Sequence, residues 1–191
     1  VLFTQHSIAT EVNETKTQIS QSIEALCSIA KRGYQVICTY PNNDAGGKEI
    51  IKLLEKIDIK EYDFFKIIPS LGRKKYHGVM ALNLDGYKVV CAGNTSSGLK
   101  ETAAFKCPTV NIGSRQKGRL HASNIVHVNY NTNEILNGFK VCVENNEFTK
   151  NLNFLENPYG KGGSGKKFCK IIKNVKLNKE LIQKKLSLPK I

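Results

Sequence analysis

Three hydroxyls lie between two glycines in Gly93-Asn94-Thr95-Ser96-Ser97-Gly98. The segment follows the apolar run Val89-Val90-Cys91-Ala92 and opens a stretch that reads as a short helix from about Gly98 to Phe105. The first turn of a helix carries free N–H groups and the positive end of its dipole, which together favour an anion. Thr95, Ser96 and Ser97 add hydroxyl donors, and Gly98 lets a ligand approach the backbone. A phosphate or pyrophosphate suits this chemistry. An ordinary serine N-cap would use the same residues. Glu101, placed by this reading on the helix's first turn, could accept two vicinal hydroxyls such as those of a ribose. A carboxylate there could equally complement the helix dipole.

Downstream, Gly113-Ser114-Arg115-Gln116-Lys117-Gly118-Arg119 follows the apolar run Thr109–Ile112 and brings two of the four arginines to one loop. Guanidinium groups suit phosphates and hydroxyls. His6 follows the first apolar run and is expected at the same sheet edge, either as a site residue or as a structural histidine. The segment Gly160–Lys167 imitates a phosphate-binding G-x-x-x-x-G-K loop. However, Lys167 stands where a Ser or Thr should hold magnesium, and Asn157-Pro158-Tyr159 precedes it in place of a strand, so an ATPase reading is rejected. The six cysteines show no C-x-x-C pair and no cysteine–histidine cluster at zinc-ligand spacing, so no metal is expected. Most lie in apolar runs, which suggests small buried thiols in a reducing compartment, hence the cytoplasm.

The elements that would position these residues alternate. Strands are expected at residues 1–5, 35–40, 62–68, 88–92, 109–112 and 125–128. Helices are expected over 14–31, 47–57, 73–83, 98–105, 132–144 and 147–156, with a basic helix over 166–186. The strands are apolar rather than alternating, the pattern of a parallel sheet covered on both faces. The expected fold is an open, doubly wound α/β domain, in which ligands bind at the carboxyl ends of the strands. The Gly-rich segment 157–165 marks the expected boundary between a domain at residues 1–165 and a Lys-rich tail at 166–191.

With 191 residues, 40% hydrophobic, the chain has the size of one domain and can form a packed core. No apolar run has the length of a membrane span and no signal peptide is visible, so no membrane partner is expected. The chain opens on Val1-Leu2-Phe3 without an initiating methionine, as expected of a piece of a longer protein. The net charge is +13, and most of the excess lies beyond residue 160. The tail contains no arginine and one aromatic, Phe168, so a solvated lysine-rich face is expected rather than a nucleic-acid surface.

Several motifs in order resemble the C-terminal half of hydrolysing UDP-N-acetylglucosamine 2-epimerases of sialic and nonulosonic acid synthesis. They are Thr4-Gln5-His6-Ser7-Ile8-Ala9-Thr10-Glu11, Pro41-Asn42-Asn43-Asp44-Ala45-Gly46, Gly93–Gly98 with Glu101, Pro108–Arg119 and Asn157-Pro158-Tyr159-Gly160. The resemblance spans about residues 1–172. It implies a Rossmann-like domain, one of two in a glycosyltransferase-B arrangement, with the N-terminal domain absent and a homodimer at full length. It implies no cofactor. The ligand would be UDP or a UDP-N-acetyl sugar. Asn94, Thr95, Ser96, Ser97 and Gly98 would hold the diphosphate, Glu101 the ribose and Arg115 the nucleotide nearby. Asn42 would line the pocket, with His6, the one catalytic candidate, beside the phosphates. The reaction implied is elimination of UDP followed by hydration, with the acid and base carboxylates in the absent half. Ser7 and Thr95 depart from the family's usual Pro and Ser. Residues 77–93 read as an insertion that could alter the uracil end of the pocket near Ser70–Tyr76. A non-hydrolysing epimerase, another glycosyltransferase-B enzyme and a nucleic-acid module using the basic tail are the competing readings.

Overall fold

The computed structural model describes residues 1–183. They divide into two compact units, one covering Val1–Tyr159 and a second beginning at Gly160. The break thus falls at the start of the Gly-rich turn, ahead of residue 165.

The first unit is a six-stranded sheet, every pairing parallel, in the order β3-β2-β1-β4-β5-β6. Its strands are β1 (Leu2–Thr4), β2 (Val36–Thr39), β3 (Phe65–Ile68), β4 (Cys91–Gly93), β5 (Thr109–Ile112) and β6 (Ile125–Val128). The helices between them are α1 (Thr15–Lys31), α2 (Gly47–Leu54), α3 (Gly72–Ala81) and α4 (Ser96–Lys100), and α5 (Thr132–Glu144) and α6 (Asn146–Asn151) follow β6. One face of the sheet packs against α1, α2 and α5 through Phe3, Ile19, Leu26, Ile50, Leu54, Val110, Ile112, Ile135 and Phe139. The other face buries Leu2, Cys91 and Cys107 with Met80 of α3. Burying both faces requires strands without polar alternation, as the sequence shows.

Local chemistry sets the element ends. Asn131 caps α5 by accepting from the Glu134 amide at 3.1 Å, while the Glu134 carboxylate reaches back to the Asn129 amide at 2.9 Å. Gly138 lets α5 lie close on the sheet, because a Cβ there would stand 3.1 Å from both Val110 and Val128.

Several boundaries differ from expectation. The fourth strand is Cys91–Gly93, not 88–92, and Val89 instead donates its amide to the Asn83 side chain. Val89 is apolar because it is buried, not because it pairs along a strand. β1 covers Leu2–Thr4 and β3 starts at Phe65 rather than residue 62. A 3₁₀ helix at Ala9–Glu14 precedes α1, and α2 stops at Leu54. The stretch read as a helix over 147–156 is α6 followed by a 3₁₀ turn at Leu152–Phe154.

In the second unit, the stretch expected as one helix over 166–186 is α7 (Ser164–Lys173) followed by α8 (Lys179–Ile182). Residues 184–186 lie outside the described residues. All six cysteines are free; four are buried, as expected of most of them, Cys27 is half-buried, and Cys169 on α7 is exposed. Among the described residues no helix is long and apolar enough to cross a membrane, and no group of three or more His, Cys, Asp or Glu could hold a metal.

Candidate functional site

The chain crosses from β3 at one edge of the sheet back to β4 beside β1. That reversal makes the carboxyl ends of β1 and β4 the topological switch point, where open α/β sheets bind ligands. His6 follows β1 there, and Asn94 to Ser97 follow β4.

A cavity of about 330 Å³ opens at this point, lined by Thr4, His6, Thr95, Ser97 and Glu101 with residues 69–73, Tyr76 and His77. Its walls include four of the expected site residues, His6, Thr95, Ser97 and Glu101. Asn42, Asn94, Ser96, Gly98 and Arg115 do not line it. A larger cavity of about 760 Å³ lies towards β5 and β6 and takes in Lys117, Arg119, His121 and His127, but none of the four. Chemistry rather than size selects the smaller one.

Asn94 is fully buried. Its Oδ1 accepts from the His6 amide at 2.7 Å and its Nδ2 donates to the His6 carbonyl at 2.8 Å. Its own carbonyl accepts from Gln116 Nε2 at 2.7 Å and Arg115 Nη1 at 3.3 Å. Asn94 therefore joins the loops after β1, β4 and β5 without lining the cavity at the switch point.

The exposed Asn42 acts through its backbone: its amide donates to His6 Nδ1 at 2.9 Å. A neutral His6 with an accepting Nδ1 carries its proton on Nε2. Burial first, and then the Arg115 charge, lower the His6 pKa to about 4 against a smaller opposing effect of Asp44. His6 is thus an uncharged N–H donor at neutral pH. Because its folded pKa lies below its unfolded value near 6.5, the unfolded chain binds more protons between pH 4 and 6.5. Stability should fall as pH drops through that window, and His6→Asn should remove that part of the slope in urea unfolding. Nitrogen chemical shifts of His6 at pH 6 should report the neutral Nε2–H form.

Thr95, not a serine, caps α4, its Oγ1 accepting from the Ser97 amide at 3.3 Å. α4 has five residues, so Glu101 stands at its C-terminal end rather than on its first turn. The chain then tightens into a 3₁₀ turn at Thr102–Phe105, where the Thr102 hydroxyl donates to the Gly98 carbonyl at 2.6 Å. The expected helix over 98–105 is therefore two elements. Gly98 is buried, and a Cβ there would meet Thr109 at 3.3 Å, so its small size serves packing on β5 rather than ligand approach.

Arg115 Nη2 lies 3.5 Å from Asp44 Oδ2, which brings a half-buried cation beside His6 and the Asn42 loop. No sequence pattern singles out His77, whose Nε2 lies 2.6 Å from Glu101 Oε2. The pair is 24 residues apart, and α3 carries no pattern that marks this position.

The family model described as UDP-N-acetylglucosamine 2-epimerase matches residues 1–173. The UDP-N,N'-diacetylbacillosamine 2-epimerase (hydrolyzing) of Legionella pneumophila is 28% identical over 96% of this chain and 45% of its own length. The GDP/UDP-N,N'-diacetylbacillosamine 2-epimerase (hydrolyzing) of Campylobacter jejuni is 32% identical over 78% of this chain and 36% of its own. The chain thus spans less than half the length of these relatives. Among solved structures, the S. aureus MnaA–UDP co-structure superposes with a TM-score of 0.62 at 14% identity, over 90% of this chain and 44% of that one. This last likeness is one of fold. Since the family model takes in the whole of the compact first unit and the start of the second, the chain belongs to the UDP-N-acetylglucosamine 2-epimerase family.

Proposed function

We propose that this chain is the UDP-binding half of a hydrolysing UDP-sugar 2-epimerase. The whole protein would convert a UDP-linked 2-acetamido sugar and water into UDP and the free 2-epimeric sugar. The observation that carries the reading is the convergence of His6, Thr95, Ser97 and Glu101 on one cavity at the switch point between β1 and β4. The names of the Legionella and Campylobacter relatives support the hydrolysing form.

In this reading Thr95 and Ser96 offer hydroxyl donors to the diphosphate, while Ser97 gives its hydroxyl to Glu101 and its amide to Thr95. The His6 Nε2–H adds an uncharged donor and the Arg115 guanidinium a positive field. Glu101 accepts the ribose hydroxyls. Asn94 and the Asn42 amide hold His6 in place. Removal of the C2 proton and protonation of the leaving group need a base and an acid. Glu101, occupied with His77 and Ser97, is assigned to neither. Those groups are placed in the remaining half of a family-length protein.

Calorimetric titration of the chain with UDP tests the binding half of this proposal. Saturable binding is expected, weakened about tenfold or more by Glu101→Ala or Arg115→Ala, the equivalent of roughly one charge-assisted hydrogen bond. Absence of binding at millimolar UDP, or equal binding by both variants, would overturn it. In the family-length protein, release of UDP with N-acetylmannosamine from UDP-N-acetylglucosamine is expected. Return of an intact UDP-linked epimer would indicate the non-hydrolysing reaction.

A further inference from the structure

Glu101 sits where a carboxylate gains nothing from its own helix, since the C-terminal end of α4 presents carbonyl oxygens. Two side chains nonetheless fix it. His77 Nε2 meets Oε2 at 2.6 Å, and the Ser97 hydroxyl donates to Oε1 at 3.1 Å. The pair is open to solvent, with side-chain exposures of 34% for His77 and 39% for Glu101. Both residues line the cavity at the switch point. The His77 ring is itself held, lying 5.3 Å from the Phe105 ring at a tilt of 47°. Phe105 packs against the buried cluster around Met80 and Cys107.

A carboxylate offers about four acceptor positions. One on each oxygen is taken, by His77 and by Ser97. One on each remains, on a group whose rotation is stopped at two points. Two adjacent hydroxyls can be accepted by that arrangement without breaking either existing bond. A flexible glutamate would have to be ordered on binding, at a cost in side-chain entropy that the preset one avoids. The His77 N–H also draws electron density from a carboxylate that must lie near a diphosphate, moderating the repulsion between them.

We infer that His77 is a positioning residue of the nucleotide site, presetting the Glu101 carboxylate to accept a vicinal diol and thereby selecting a ribose over a 2'-deoxyribose. This inference rests on the reading of the cavity as a UDP site. His77 need not touch the nucleotide; it acts through Glu101.

The test is titration of the chain and two variants with UDP and with 2'-deoxy-UDP at neutral pH. The unaltered chain should bind UDP about tenfold more tightly than the deoxy compound, the worth of roughly one hydrogen bond to a charged acceptor. His77→Leu should lose about tenfold in UDP affinity while 2'-deoxy-UDP affinity changes less than about twofold, so that the preference disappears. His77→Gln, which can return an N–H to Glu101, should restore most of the preference. Thermal unfolding of each variant shows whether the fold is intact. A Leu variant that keeps the preference, or that weakens both ligands equally, overturns the inference, the second result assigning His77 to support of α3. An unaltered chain that binds UDP with no regard for the 2'-hydroxyl also overturns it while leaving the UDP reading standing. If that chain binds no UDP at all, the UDP reading falls and the inference with it.

Discussion

Gly93→Ala should abolish the folded state. β1 and β4 are neighbours in register at Thr4 and Gly93, and the glycine has a φ of 119°. A Cβ at Gly93 would stand 2.6 Å from the Thr4 carbonyl carbon and closer still to its oxygen. Both belong to backbone, so no side-chain rotation relieves the contact. The strands would have to separate at the centre of the sheet, beside His6 and Asn94. A cost above about 4 kcal/mol is expected, of the order of the whole stability of a small domain. Gly86→Ala is the control. Its φ is 87°, but nothing lies within 4 Å of the added carbon. It should cost about 1 kcal/mol, from backbone strain alone. Urea unfolding of the two variants separates strain from collision. If Gly93→Ala unfolds like Gly86→Ala, the close approach of β1 and β4 is wrong.

Asn94→Ala should weaken both the fold and the site. The side chain satisfies the amide and carbonyl of His6 and also donates to the Tyr130 hydroxyl at 3.4 Å. Removing it leaves polar groups unpartnered around a fully buried position, at a cost of about 2–4 kcal/mol. His6 then loses the anchor of its backbone, and UDP affinity should fall more than about tenfold, the effect of one lost charge-assisted contact. Asn94→Asp keeps an acceptor for the His6 amide but turns a second oxygen towards the His6 carbonyl. It should be little better than alanine in urea unfolding and in UDP titration. Wild-type UDP affinity in the Asp variant would show that the clamp on His6 has no part in binding.

The six strands were legible because each is a short apolar run in a sheet buried on both faces. Their ends were less so, since a run such as Lys88–Ala92 does not reveal which residues pair and which merely pack. Val89 is apolar for its contacts, and the ladder begins only at the Val90 carbonyl, which accepts from the Leu2 amide at 2.9 Å. The types in the β4 loop suggested anion chemistry, but not which residue caps the helix or how soon it ends. Glu101 moved from first turn to last because the Thr102 hydroxyl takes the Gly98 carbonyl, a competition that helical periodicity does not record. Asn94 was visible as a polar residue in the right loop. Its burial depends on His6, 88 residues away, and could not be read locally. His77 left no trace, because its partner is on another element and α3 has little apolar face to orient it.

The strand order has a kinetic consequence. β1, β2 and β3 can assemble from the first part of the chain, and β4, β5 and β6 from a later part, each trio joined by local crossovers. Within the sheet the two trios pair only along β1 and β4, whose contacts close its longest loop. Contacts between residues so far apart form slowly. Until they form, each trio has a bare inner edge, the template for pairing with another molecule. Refolding should therefore be limited by this seam and should lose yield as protein concentration rises. The contact that admits no side chain at Gly93 lies on that seam, so the tightest register in the sheet is also among the last to be set.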